Sequence, residues 1–195
     1  MKTVRVFIAI SLPGEIHDQL ARISAELRKD VVEGVIRWVK VTNIHLTLKF
    51  LGDIPEVEVS RLKDELDSQV GLHFPFFLTV EKIGLFPNAH RPRIVWAGLQ
   101  DSLELLRLQS DIEKVTRDLG YAPEERSFSA HLTLGRINQF ADPQYLLRCT
   151  KALSGRSVGG IGSFIVKSID IYRSDLNPAG SIYTKLHSIP LIGES

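Results

Sequence analysis

Two stretches of the chain open with the same four residues. His45-Leu46-Thr47-Leu48 runs on into Lys49-Phe50, and His131-Leu132-Thr133-Leu134 runs on into Gly135-Arg136. In a strand, alternate side chains share a face. Leu46, Leu48 and Phe50 are therefore expected toward the core, with His45, Thr47 and Lys49 on the opposite face. The same alternation sends Leu132 and Leu134 inward and leaves His131 and Thr133 together. Each stretch so offers an imidazole beside a hydroxyl on a rigid element.

Two imidazoles and two hydroxyls that converge suit phosphodiester chemistry. An unperturbed histidine pKa of about 6.5 lets one neutral and one protonated ring coexist near neutral pH. The neutral ring can take a proton from water, and the protonated ring can give one to a departing ribose oxygen. Threonine hydroxyls can donate to the non-bridging phosphate oxygens, where charge builds in the transition state. A single histidine on a half-exposed strand is ordinarily just a satisfied polar residue. It is the repetition that carries the chemical reading. The chemistry requires no metal or cofactor, and the chain has no His-x-His pair, no His-Glu-x-x-His and no cysteine cluster.

The elements that must position these residues alternate in type. Residues 4–12 read as a strand stopped by Pro13-Gly14, and 14–29 as a helix with Ile16, Leu20, Ile23 and Leu27 on one face. Residues 36–54 give two extended segments broken near Thr42-Asn43. A helix is expected over 55–70, with Pro55 in its first turn, followed by a strand over 76–86. A second round follows: strand 93–99, helix 101–120 with an Asp-Ser start and Gly stop, strand 129–138 and short helix 142–153. Strands over 163–173 and 181–189, around an Asn177-Pro178 turn, close the chain. The interval from Phe7 to His45 matches that from Val95 to His131, and His45 to Phe77 matches His131 to Phe164, each to within two residues. This is an internal duplication of roughly 90 residues, too long for a solenoid unit. It predicts one unit over 1–195 built from two lobes, roughly 1–90 and 91–190, with strand exchange between them allowed.

At these residues the chain resembles the 2H phosphoesterases, and within them the LigT-like RNA 2',3'-cyclic phosphodiesterases, also called 2'-5' RNA ligases. The likeness runs through "RVFIAISLP", "HLTLKFLGD", "GLFPNAHRPRIVWAG", "HLTLGR" and "IYRSDLNPAGSIYTKL". It implies an α+β fold of two pseudo-symmetric lobes, each an antiparallel sheet with helices outside, lining a central cleft. It implies hydrolysis of 2',3'-cyclic phosphate ends of RNA or nucleosides to 2'-phosphates. By the resemblance His45 is the proton donor, His131 the proton acceptor, and Thr47, Thr133 and Arg136 hold the phosphate. Strand parity puts Arg136 on the core side unless Gly135 marks a bulge that re-aims it. Lys49 has cleft-side parity but lies farther along the strand, as a rim charge. Arg91 and Arg93, in the proline-bounded loop that also holds His90, are candidates to contact the RNA backbone. Phe7 and Trp38 are candidates to stack on a base.

The remaining properties narrow the class. With 44% hydrophobic residues, 24% charged residues and a net charge of +1 over 195 residues, the chain is neither a disordered tail nor a basic coat. A phosphate must therefore be held by a local cluster of cations. The lone Cys149 excludes an internal disulfide and fits a reducing cytoplasm. The apolar start reads as a strand, not a signal peptide, and no stretch is long enough to cross a bilayer. A cytoplasmic monomer acting on RNA ends, such as tRNA fragments, is the expectation. The alternatives are reversible 2'-5' joining of tRNA halves or other RNA ends, and a non-catalytic RNA-end binding module. An ATP-driven route lacks support, since no Gly-Lys-Ser/Thr occurs.

Overall fold

In the computed structural model, which describes residues 2–153, 160–177 and 180–193, both histidine strands lie at the centre of one antiparallel sheet. In chain order the elements are β1 (Thr3–Ser11), α1 (Gly14–Lys29), β2 (Ile36–Trp38), a 3-10 turn (Val41–Asn43), β3 (His45–Pro55) and α2 (Glu58–Gln69). There follow β4 (Phe76–Phe86), β5 (Ile94–Leu99), α3 (Leu103–Asp118), β6 (His131–Ile137) and α4 (Pro143–Leu153). The last are β7 (Gly162–Val166), β8 (Ser168–Asp175) and β9 (Ile182–Pro190). The sheet order is β7-β4-β5-β6-β3-β1-β8-β9, and β2 pairs with β6.

Outward from the centre, β3-β1-β8-β9 repeats β6-β5-β4-β7. The halves of the sheet are not the halves of the sequence. β4 pairs with β5 and β7, while β8 pairs with β1 and β9, so the two repeats exchange strands. The helices follow: α2 and α3 pack on β3, whereas α1 meets β7 and α4 meets β4. One face of each strand feeds the core. Val6, Ile8 and Ile10 of β1 and Leu132 and Leu134 of β6 are buried there, against helix residues such as Leu20, Leu62 and Leu108. The start of α3 is fixed by Ser102, whose side chain accepts a hydrogen bond from the Leu105 backbone N–H at 3.1 Å.

Two element boundaries differ from the sequence expectation. Pro55 ends β3 instead of opening α2, because β1 pairs with β3 as far as Thr3 opposite Pro55. The Lys2–Glu56 ion pair closes that corner. The stretch 163–173 is two strands, not one. β7 spends its hydrogen bonds on β4 and β8 on β1 and β9, so the chain crosses between the halves at Lys167. The buried residues change parity there, from Phe164 and Val166 to Ile169 and Ile171. Of the expected Asn177-Pro178 turn, Pro178 lies outside the described residues. No helix among the described residues is long and apolar enough to cross a membrane.

Candidate active site

β3 and β6 meet through Leu46 opposite Leu132. In antiparallel register this sets Thr47 across from His131 and His45 across from Thr133 on the open face. The two rings are close enough that positive charge on His131 lowers the His45 pKa. Each ring is oriented in the same way. His45 Nδ1 donates to the Asn43 carbonyl at 2.8 Å, and His131 Nδ1 donates to the Ser129 carbonyl at 2.8 Å. A carbonyl can only accept, so Nδ1 carries the hydrogen and Nε2 of each neutral ring is left as the basic nitrogen.

Both strands carry a bulge one residue after the threonine. β1 pairs Ala9 with Thr47 and then Ile8 with Lys49, leaving Leu48 as the extra residue. β5 pairs Trp96 with Thr133 and then Val95 with Gly135, leaving Leu134 as the extra residue. A bulge reverses the alternation beyond it. Leu132 and Leu134 are buried, then Gly135 also faces inward, Arg136 is exposed and Ile137 is buried. Arg136 thus shares the face of His131 and Thr133, along β6 by about two strand positions, or roughly 7 Å.

The same bulge corrects the expectation for the first stretch. Lys49 is not a rim charge: it is 4% exposed on the helix side, where Nζ meets Glu113 Oε2 and the Ala122 carbonyl, each at 2.7 Å. Phe50 is not a core residue: it is 63% exposed on the open face. Lys49 corresponds to Gly135 and Phe50 to Arg136. A Cβ on Gly135 would stand 2.5 Å from Ile36 Cγ2. Glycine is therefore needed where β2 packs on β6, whereas at the equivalent site on β3 the lysine runs toward Glu113 and the Ala122 carbonyl.

The two histidines differ in their surroundings. His45 stacks on Phe7 at 4.8 Å between ring centroids and meets the edge of Tyr183 at 5.3 Å, while Phe7 stacks on Tyr172 at 5.3 Å. This burial pushes the His45 pKa below its ordinary value, opposed by the hydrogen bond to Asn43 and reinforced by His131. Behind it the buried Asp170 binds Ser11 and Tyr172 through their hydroxyls and Lys185 at 2.8 Å. A pocket of about 250 Å³ opens beside His45, between Ser11, His17, Asn43, Tyr172 and Tyr183. On the other side, His131 meets Phe86 edge-on at 5.1 Å, and Phe86 stacks on Trp96 at 4.7 Å.

The remaining expected contacts are Phe7, Trp38, Arg91 and Arg93. Phe7 is 2% exposed and backs His45, and its ring forms part of the wall of the pocket beside that histidine. Trp38 pairs with Gly135 on the helix side, under the Arg28 guanidinium at 5.5 Å. Arg91 and Arg93 are exposed in the loop after β4, where Asn88 Oδ1 accepts from the His90 and Arg91 backbone N–H groups. Sequence reasoning missed Tyr172, Tyr183 and Phe86; an aromatic in a strand gives no local sign of which face it takes. Among the described residues no three His, Cys, Asp or Glu side chains are grouped to hold a metal ion.

A family model described as LigT like phosphoesterase matches the chain twice, over residues 10–96 and 98–183. The RNA 2',3'-cyclic phosphodiesterase of Methanothermobacter thermautotrophicus is 31% identical over 183 residues, covering 94% of this chain and 96% of that protein. The one from Archaeoglobus fulgidus is 33% identical over 183 residues, covering 94% and 98%. Among solved structures, E. coli LigT complexed with 3'-AMP matches with a TM-score of 0.76 at 26% identity, covering 97% of this chain and 99% of that one. TT0787 of Thermus thermophilus matches with a TM-score of 0.80 at 26% identity, covering 98% and 100%.

Proposed function

The chain belongs to the LigT-like phosphoesterase family, and on that premise we propose that it is an RNA 2',3'-cyclic phosphodiesterase whose two histidines exchange the protons. The relatives named above carry that activity in their names over nearly the whole length of this chain. The observation that carries the proposal is the facing pair of rings, each held through Nδ1 by a backbone carbonyl with Nε2 left for chemistry.

The cyclic phosphate lies over the square formed by His45, Thr133, Thr47 and His131. His131 Nε2 takes a proton from water as its oxygen bonds to phosphorus. The bond from phosphorus to the ribose 3'-oxygen breaks, and protonated His45 gives that oxygen its proton through Nε2. The product is a 2'-phosphate with a free 3'-hydroxyl. Thr47 and Thr133 donate to the non-bridging oxygens, and Arg136 supports the same charge with a guanidinium, the group best shaped for phosphate. The nucleoside occupies the His45 side, where the aromatic wall and the neighbouring pocket lie. Residues 1–195 act as a single unit, since each half of the sheet borrows strands from the other repeat. The enzyme works as a cytoplasmic monomer on RNA ends, tRNA fragments among them.

The test is a product assay on a 2',3'-cyclic-ended oligoribonucleotide, with and without chelator and ATP. A 2'-phosphate product, insensitive to both additions, is expected. A 3'-phosphate product, or loss of turnover in chelator, contradicts the assignment.

A further inference from the structure

Beyond the square of histidines and threonines the open face carries one more cross-strand pair. Arg37 of β2 stands directly opposite Arg136 of β6. The neighbouring pairs, Ile36 with Ile137 and Trp38 with Gly135, face the helices, so both arginines are fixed on the open face. Both are exposed. Like charges directly opposed on one face of a sheet repel each other. Elsewhere the sheet matches such charges: Arg5 stands opposite Asp53 and bonds it at 2.8 Å. Neither the Arg37 nor the Arg136 side chain has a hydrogen bond or carboxylate partner among the described residues. An anion between them would remove the repulsion.

We propose that Arg37 and Arg136 form a second anion seat, filled by the phosphate that links the terminal nucleotide of an RNA to its neighbour. The inference rests on the reading of the histidine site given above. β2 and β3 border β6 in succession, so Thr47–His131, His45–Thr133 and Arg37–Arg136 follow one another along β6 like rungs. A strand whose cyclic end lies on the first two rungs continues over the third. Arg136 lies about 7 Å along β6 from Thr133, and Arg37 stands across from it on the same rung, one step beyond the cyclic phosphate. The seat gives the enzyme a preference for oligonucleotide ends over cyclic mononucleotides, and it accounts for an arginine unmatched among the described residues on a strand that pairs with β6.

The test compares kcat/KM on a cyclic-ended trinucleotide and on the matching cyclic mononucleotide. Arg37→Gln, at an exposed position that tolerates change, should lower the trinucleotide-to-mononucleotide ratio at least about tenfold, the lower end for a hydrogen bond to a charged group. Arg37→Lys should retain part of the preference, and Arg37→Gln should reduce the salt dependence of trinucleotide binding by about one phosphate's worth. An unchanged ratio, or an equal fall on both substrates, overturns the proposal. If the intact protein hydrolyses neither substrate, the histidine reading fails, and the seat is then judged by anisotropy with a labelled trinucleotide ending in 2'-phosphate. Weakening of at least about tenfold in Arg37→Gln supports the seat, and unaltered binding sinks it.

Discussion

Replacing Lys49 by alanine tests the bulge that orders the whole open face. Lys49 is 4% exposed, and its ammonium group is bonded to Glu113 and to the Ala122 carbonyl, each at 2.7 Å. Removal leaves a carboxylate and a carbonyl without their donor on the helix side. Breaking a buried pair from one side costs about 3–5 kcal/mol. The Glu113 side chain, however, is 21% exposed and keeps a contact from Gln109 at 3.3 Å. Water can then serve part of the orphaned charge, so a loss of about 2–3 kcal/mol is expected. Lys49→Met with Glu113→Leu removes both charges, conserves apolar volume and should recover most of that loss. Urea unfolding gives the stabilities, and kcat/KM on a cyclic-ended oligonucleotide should stay near that of the intact chain wherever the protein is folded. A Lys49→Ala protein of full stability but with greatly weakened substrate binding would refute the placement, because it would mean that the lysine faces the phosphate.

The pH profile follows from His45. Burial lowers its pKa below 6.5, so as the proton donor it loses its proton on the acid side of that value, and kcat/KM should fall with rising pH from there. A plateau that extends through pH 7 with only an acid limb would assign His45 as the base instead. In stability the sign is opposite to that of a histidine with an acidic partner. The unfolded chain binds the proton more readily, so the contribution of neutral His45 is present above about pH 6.5 and is lost as pH falls through the lowered folded value. Gly135→Ala forces Ile36 to give way and should cost about 1–3 kcal/mol in urea unfolding. Its trinucleotide preference should fall with that of Arg37→Gln, and a fully stable variant would refute the tight fit of β2.

Much of the architecture is legible in local pattern. The leucine alternation in both histidine stretches fixes their inner face up to the threonine, and the Ile16-Leu20-Leu27 spacing gives α1. What escapes is set by partners far away in the chain. A bulge exists only as two residues against one, so Leu48 and Leu134 look ordinary until β1 and β5 are laid beside them. Gly135 gives a hint in the second stretch, whereas Lys49-Phe50 gives none, and its charge and aromatic ring suggest the wrong faces. The break at Lys167 is written in the parity change between Val166 and Ile169, but the exchange of strands behind it is a property of the pairing. The aromatic wall of His45 comes from β1, β8 and β9, whose residues meet only in the fold.

The proposed proton-transfer machinery for a cyclic phosphate end is His45 and His131 together. Its most direct test is kcat/KM on a 2',3'-cyclic-ended oligoribonucleotide for the intact protein, His45→Ala and His131→Ala, with folding checked by urea unfolding. Each folded variant should lose about 10²–10⁴-fold, while still binding the 2'-phosphate product. Hydrolysis that continues at the intact rate in either folded variant would contradict the account.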